Sequence, residues 1–128
     1  MLKATGHPGS RRPANLRVLV VEDEGLVALL LEDMLHDLGM SVSGVARRVD
    51  QALALIEKGG IDAAILDVNL SGERSYPVAD ALRAKGVPYV FATGYGSAAL
   101  ENGYASDKVV PKPYSSSDIA AALADMMT

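Results

Sequence analysis

The sequence predicts an α/β fold, a doubly wound parallel sheet of five strands with helices on both faces. Three observations predict it. Short β-branched apolar runs alternate with stretches of helical period all along residues 16–128. The runs are largely apolar throughout, as strands covered on both faces should be. Glycines end the helical stretches, at Gly39, at Gly59-Gly60 and near Gly86.

The elements follow in order. Residues 1–15 are rich in Gly, Pro, Ser and Arg without periodicity and read as a disordered basic tail, leaving 16–128 as one domain. Leu16–Val21 is the first strand. Val27, Leu30, Leu31, Met34, Leu35 and Leu38 then mark one helical face, and Gly39 ends it. Ser41–Val45 is a weaker second strand. Val49, Ala52, Leu53 and Ile56 form the next helical stripe, broken by Gly59-Gly60. Ile61–Leu66 is the third strand, Asn69–Pro77 a loop, and Val78 and Leu82 mark a short helix ending near Gly86. Pro88–Thr93 is the fourth strand and Lys108–Val110 a short fifth one. Between them, Gly94, Gly96 and Gly103 predict a fourth helix that is short or mobile, with one turn at Ala98–Leu100. Ser115 or Ser116 caps the last helix, whose apolar face is Ile119, Ala122, Leu123 and Met126.

Composition removes several function classes. With no cysteine there is neither a disulfide nor a thiolate metal site. No apolar run approaches the roughly 18 residues of a membrane span. The N-terminus lacks the apolar core of a secretory signal, so a cytoplasmic setting is expected. Net charge is −4, but the first 15 residues carry +3, so the remaining 113 hold −7. An acidic body is a poor electrostatic match for nucleic acid. The chain ends just after the last helix, and no appended effector domain is expected in it.

Polar residues close the strands. Glu22-Asp23-Glu24 follow the first, Asp67 the third, Thr93 ends the fourth and Lys112 follows the fifth. In a parallel α/β sheet the carboxyl ends of the strands share one edge, where ligands bind. Several carboxylates, one hydroxyl and one amine would meet there. Such a set suits a divalent cation and a phosphoryl group. Other polar residues read as ordinary surface: Glu24 as a helix-start cap, His36 and His7 as solvated, and Arg47-Arg48 as the solvated start of a helix.

The motifs VLVVEDE (18–24), ILDVNL (65–70), FATGY (91–95) and PKPY (111–114) occur in order, each at a strand end. In this the chain resembles the receiver domain of two-component response regulators, over about Leu16 to Met127. The resemblance implies the flavodoxin-like strand order 2-1-3-4-5 and makes Asp67 the phosphoacceptor. The donor would be a sensor histidine kinase, a phosphotransfer protein or a small molecule such as acetyl phosphate. Mg²⁺ would be held by Asp23, Asp67 and the backbone carbonyl of Asn69, with Glu22 joining through water. Thr93 would donate to the phosphoryl group, Lys112 would stabilise its charge, and the Lys112–Pro113 bond would be cis. Such a protein is no enzyme beyond its own phosphorylation and dephosphorylation. It signals through a protein partner or acts as a phosphate sink, without nucleic acid or membrane.

The chain also departs from the pattern. No proline stands three or four residues after Asp67; Leu70-Ser71-Gly72 fills that stretch. Val109 occupies the fifth-strand place where many receivers carry a switching aromatic. The FATGY run is similar instead to variant receivers with a Phe-Ala-Thr-Gly-x-Tyr signature, and Tyr95 or Tyr104 becomes the candidate moving aromatic. Three other readings are weaker. An aspartyl-phosphate phosphatase needs an acid/base Asp where Asn69 stands. A flavin site needs a phosphate-cradling loop where three acids stand. A phosphate-independent interaction module leaves the retained Asp23, Asp67, Thr93 and Lys112 without a purpose.

Overall fold

The computed structural model describes residues 15–94, 100–101, 103–104 and 107–126. Along the chain the strands are β1 (Arg17–Val21), β2 (Ser41–Ala46), β3 (Ala63–Asp67), the two-residue β4 (Asn69–Leu70) and β5 (Glu73–Arg74), β6 (Tyr89–Thr93) and β7 (Val109–Pro111). Five of them pair in parallel in the order β2-β1-β3-β6-β7. Counting only these five, this is the expected order 2-1-3-4-5. The helices described are α1 (Gly25–Asp37), α2 (Val49–Lys58), α3 (Tyr76–Ala84) and α4 (Ser116–Met126).

The pleat divides the core. Leu19, Val21, Ala64, Leu66 and Phe91 point to the face covered by α2 and α3. Val18, Val20, Ala63, Ile65 and Val90 point to the face covered by α1 and α4. Every residue of β3 is buried, which accounts for the unbroken apolar run that precedes Asp67.

The helix ends obey local chemistry. Gly39 has φ 86° and closes α1: its N–H bonds to the His36 carbonyl and that of Met40 to the Leu35 carbonyl. Ser115 caps α4, its Oγ accepting from the Asp118 N–H at 3.1 Å.

Two apolar stripes sit differently from the sequence reading. Leu30 is 47% exposed and Leu53 37% exposed. Ala28, outside the expected stripe, is buried with Leu31 and Leu35 in α1, and Val49, Ala52 and Ile56 are the buried residues of α2. The expected loop Asn69–Pro77 also holds more structure. Ser71 (φ 54°) and Gly72 (φ 93°) form a two-residue turn that pairs Leu70 with Glu73 and Asn69 with Arg74, and α3 already begins at Tyr76.

The basic tail read in residues 1–15 lies outside the described residues apart from Asn15. So do Tyr95 and most of the turn at Ala98–Leu100. The described part of the 94–107 segment is held against α3. Tyr104 stacks on Tyr76 with ring centroids 4.3 Å apart, and its hydroxyl donates to Asp80 at 2.7 Å. Phe91, fully buried, meets Tyr76, Tyr89 and Tyr104 edge-on. Arg83 lies 5.1 Å from the Tyr104 ring centroid and donates twice to Asp107, at 2.8 and 2.9 Å. The Tyr89 hydroxyl donates to the same carboxylate at 2.7 Å. Burial, then the Asp107 charge, holds the Tyr89 phenol above its usual pKa.

Candidate functional site

The parallel sheet delivers each predicted residue to one edge. The N–H of Glu22 extends the ladder to the Ala46 carbonyl at 2.9 Å, which fixes the chain as it leaves β1. The Glu22 side chain then turns inward and is fully buried, Asp23 is half-buried, and Glu24 is exposed. Glu24 occupies the position before α1 but makes no side-chain capping bond. Asp67 ends β3 at 8% exposure and Thr93 ends β6 at 6%. The Lys112 N–H bonds to the Thr93 carbonyl at 3.2 Å, and the Lys112–Pro113 peptide is cis, as expected.

The side chains converge. Lys112 Nζ lies 3.2 Å from Asp67 Oδ2 and 3.3 Å from Glu22 Oε1. Carboxylate oxygens of Glu22, Asp23 and Asp67 all lie within 4.8 Å of one another. Asp67, Asn69, Thr93 and Lys112 line one open cleft together with Ser71 and Arg74. The Asn69 N–H donates to Asp67 Oδ1 at 3.3 Å, and its own Oδ1 accepts from the Gly72 N–H at 3.0 Å.

The electrostatics follow from that crowding. Burial raises the Glu22 carboxyl to a pKa of about 7, helped by the charge on Asp67; Lys112 and the Glu24 N–H pull the other way. Burial would lower the Lys112 ammonium, but Asp67 and Glu22 overcome it and hold the group above its usual value. Tyr114 donates its hydroxyl to Glu22 Oε1 at 3.4 Å, and burial, then Glu22 and Asp67, raise its pKa. One ammonium among three carboxylates leaves the cluster short of positive charge. Its donors are hard oxygens, with no sulfur or imidazole among them. That donor set fits a small divalent cation such as Mg²⁺.

Several participants escaped the sequence reading. Ser71 donates to Asp23 Oδ2 at 2.6 Å and so ties the hairpin tip to the acidic loop. The Ser-Gly dipeptide was the available signal for that turn. Arg47 is not a merely solvated residue: its guanidinium donates to the Asp23 carbonyl at 2.9 and 3.3 Å and braces the same loop. Nothing local in the sequence marks that contact. Arg74 reaches the cleft only because the hairpin folds back.

Comparison with known proteins bears on the family and the fold. The family model described as the response regulator receiver domain matches residues 18–124. The solution structure of SdrG from Sphingomonas melonis Fr1 superposes with a TM-score of 0.80 at 44% identity, covering 92% of this chain and 100% of that one. The PhyR receiver domain from Erythrobacter litoralis gives 0.78 at 27% identity, covering 89% and 91%. Among curated proteins, the transcriptional regulatory protein TcrA of Mycobacterium tuberculosis is 34% identical over 119 residues, 88% of this chain. The match spans 46% of TcrA, so the chain covers about half the length of such relatives. No helix among the described residues is long and apolar enough to cross a membrane.

Proposed function

We propose that this chain, which belongs to the response regulator receiver domain family, accepts a phosphoryl group on Asp67 from a histidine kinase or phosphotransfer protein. The observation that carries the reading is the contact of Lys112 Nζ with Asp67 Oδ2, at the centre of an acidic cluster on the sheet's carboxyl edge.

Each residue has a task there. The Asp67 carboxylate attacks phosphorus, and the β3 end fixes its position, so little orientation is left to chance. Lys112 faces the charge that builds on the transferring group. Thr93, on the neighbouring strand end, donates its hydroxyl to a phosphoryl oxygen after transfer. That bond exists in one state only, so it biases a conformational equilibrium. Asp23, Asp67 and the Asn69 carbonyl would hold Mg²⁺, with Glu22 behind them through water. The ion, when bound, offsets the negative charge that carboxylates and phosphoryl oxygens bring together.

The phosphorylated chain then signals through a protein partner or drains phosphoryl groups from the kinase. Incubation with acetyl phosphate and Mg²⁺, followed by intact mass, tests the first claim. A gain of one phosphoryl, lost in Asp67→Asn, is expected; an unchanged wild-type mass would refute it. A partner whose affinity changes on phosphorylation separates signalling from storage.

A further inference from the structure

We propose that Arg74 recognises the outer oxygens of the phosphoryl group, both on a small dianionic donor and after its transfer to Asp67. The inference rests on the phosphoacceptor reading of Asp67 and adds a residue to it. An exposed arginine on a hairpin is by default a solvated charge. Placement and pairing set this one apart.

Placement comes from the turn. The left-handed Ser71 and Gly72 put Arg74 directly opposite Asn69, two residues beyond Asp67. Side chains of directly opposed residues lie on the same face of an antiparallel pair, with Cβ atoms roughly 5 Å apart. Arg74 and Asn69 accordingly line the same cleft as Asp67, Thr93 and Lys112. The Ser71 hydroxyl bond to Asp23 fixes the hairpin against the acidic loop, so the arginine is carried on a tethered support.

Pairing is the second point. Arg17, Arg48 and Arg83 face Asp62, Asp50 and Asp107, and Arg47 donates to the Asp23 carbonyl. Lys112 is shared between Glu22 and Asp67. Arg74 makes no ion pair or side-chain hydrogen bond among the described residues. A planar guanidinium with its donors unspent, at the mouth of a cleft whose own lysine is committed, matches phosphoryl oxygens in charge and in fork geometry. With acetyl phosphate the step balances without a proton. An Asp67 oxygen forms the new bond to phosphorus, the bond from phosphorus to the acetate oxygen breaks, and acetate leaves with the electron pair.

The test is the rate of mass gain against acetyl phosphate concentration at saturating Mg²⁺, for wild type, Arg74→Ala, Arg74→Lys and Asp67→Asn. The expected result for Arg74→Ala is a rise of about tenfold in the donor concentration needed, the scale of one charge-assisted hydrogen bond. Arg74→Lys should recover part of it. Beryllofluoride affinity should fall in parallel, with Mg²⁺ affinity by calorimetry and the urea midpoint unchanged. Wild type that is phosphorylated at Asp67 with Arg74→Ala equally fast would overturn this proposal alone. So would a matching loss of Mg²⁺ affinity or stability, which would make the residue a structural one. Wild type that gains no phosphoryl would overturn the phosphoacceptor reading and this proposal with it.

Discussion

Replacing Glu22 with glutamine should stabilise the metal-free protein at neutral and alkaline pH. Glu22 is fully buried, and its carboxyl is raised from 4.5 to about 7 by burial and by Asp67. Below pH 4.5 the group is protonated in both folded and unfolded chains and costs nothing. Between 4.5 and about 7 the unfolded chain releases this proton and the folded chain keeps it, so stability falls as pH rises. Above about 7 the folded chain carries the full penalty, which a shift of this size sets at roughly 3 kcal/mol. Glutamine has the same shape; its one oxygen can accept from the Glu24 N–H, and its amide N–H can donate to the Tyr114 hydroxyl oxygen, reversing that bond. It gives up the Lys112 contact, but Lys112 retains Asp67. The expected net gain at pH 8 is therefore about 1–3 kcal/mol, fading toward pH 4.5. Urea unfolding in a chelating buffer, from pH 4.5 to 8.5, measures it as the difference between wild type and Glu22→Gln. Two parallel stability curves would refute the argument. Saturating Mg²⁺ should stabilise wild type most at the alkaline end, because an ion that binds only the folded chain adds to its stability.

Other consequences are as direct. Phe91→Ala empties the centre of the aromatic cluster and should cost about 3–5 kcal/mol in urea unfolding. Asp107→Asn leaves Arg83 without its two-bond partner and weakens the Tyr89 contact; a loss of about 1–3 kcal/mol is expected, with increased amide exchange at Tyr104 and Asp107. Ser71→Ala removes the hydroxyl that orients Asp23 and should lower Mg²⁺ affinity by about tenfold in calorimetric titration.

The sheet was legible because its central strands β1, β3 and β6 are buried on both faces. The apolar run Ala63–Leu66 of β3 cannot be mistaken for a surface segment. The site was legible for a related reason: Glu22, Asp23, Asp67, Thr93 and Lys112 stand where strands end, and parallel topology brings strand ends together. Helix faces were harder. In α1 six apolar residues run from Leu26 to Leu31, so periodicity alone admits more than one face. The packing choice fell on Ala28, which a hydrophobicity scale undervalues, and left Leu26, Leu29 and Leu30 outside. The hairpin was missed because its strands are two residues each, too short for any alternation to show. Arg47 was missed because its partner is a backbone carbonyl 24 residues away, and a carbonyl leaves no mark on a sequence.

The chain contains five tyrosines and no tryptophan. Tyr76, Tyr89 and Tyr104 gather around Phe91, while Tyr114 stands apart with its hydroxyl on Glu22. Tyr95 aside, the ultraviolet emission of the unlabelled protein therefore arises from two neighbourhoods on opposite sides of the sheet. A Tyr114→Phe variant would silence the site's contribution and leave the cluster's, giving each neighbourhood its own optical channel without an added dye.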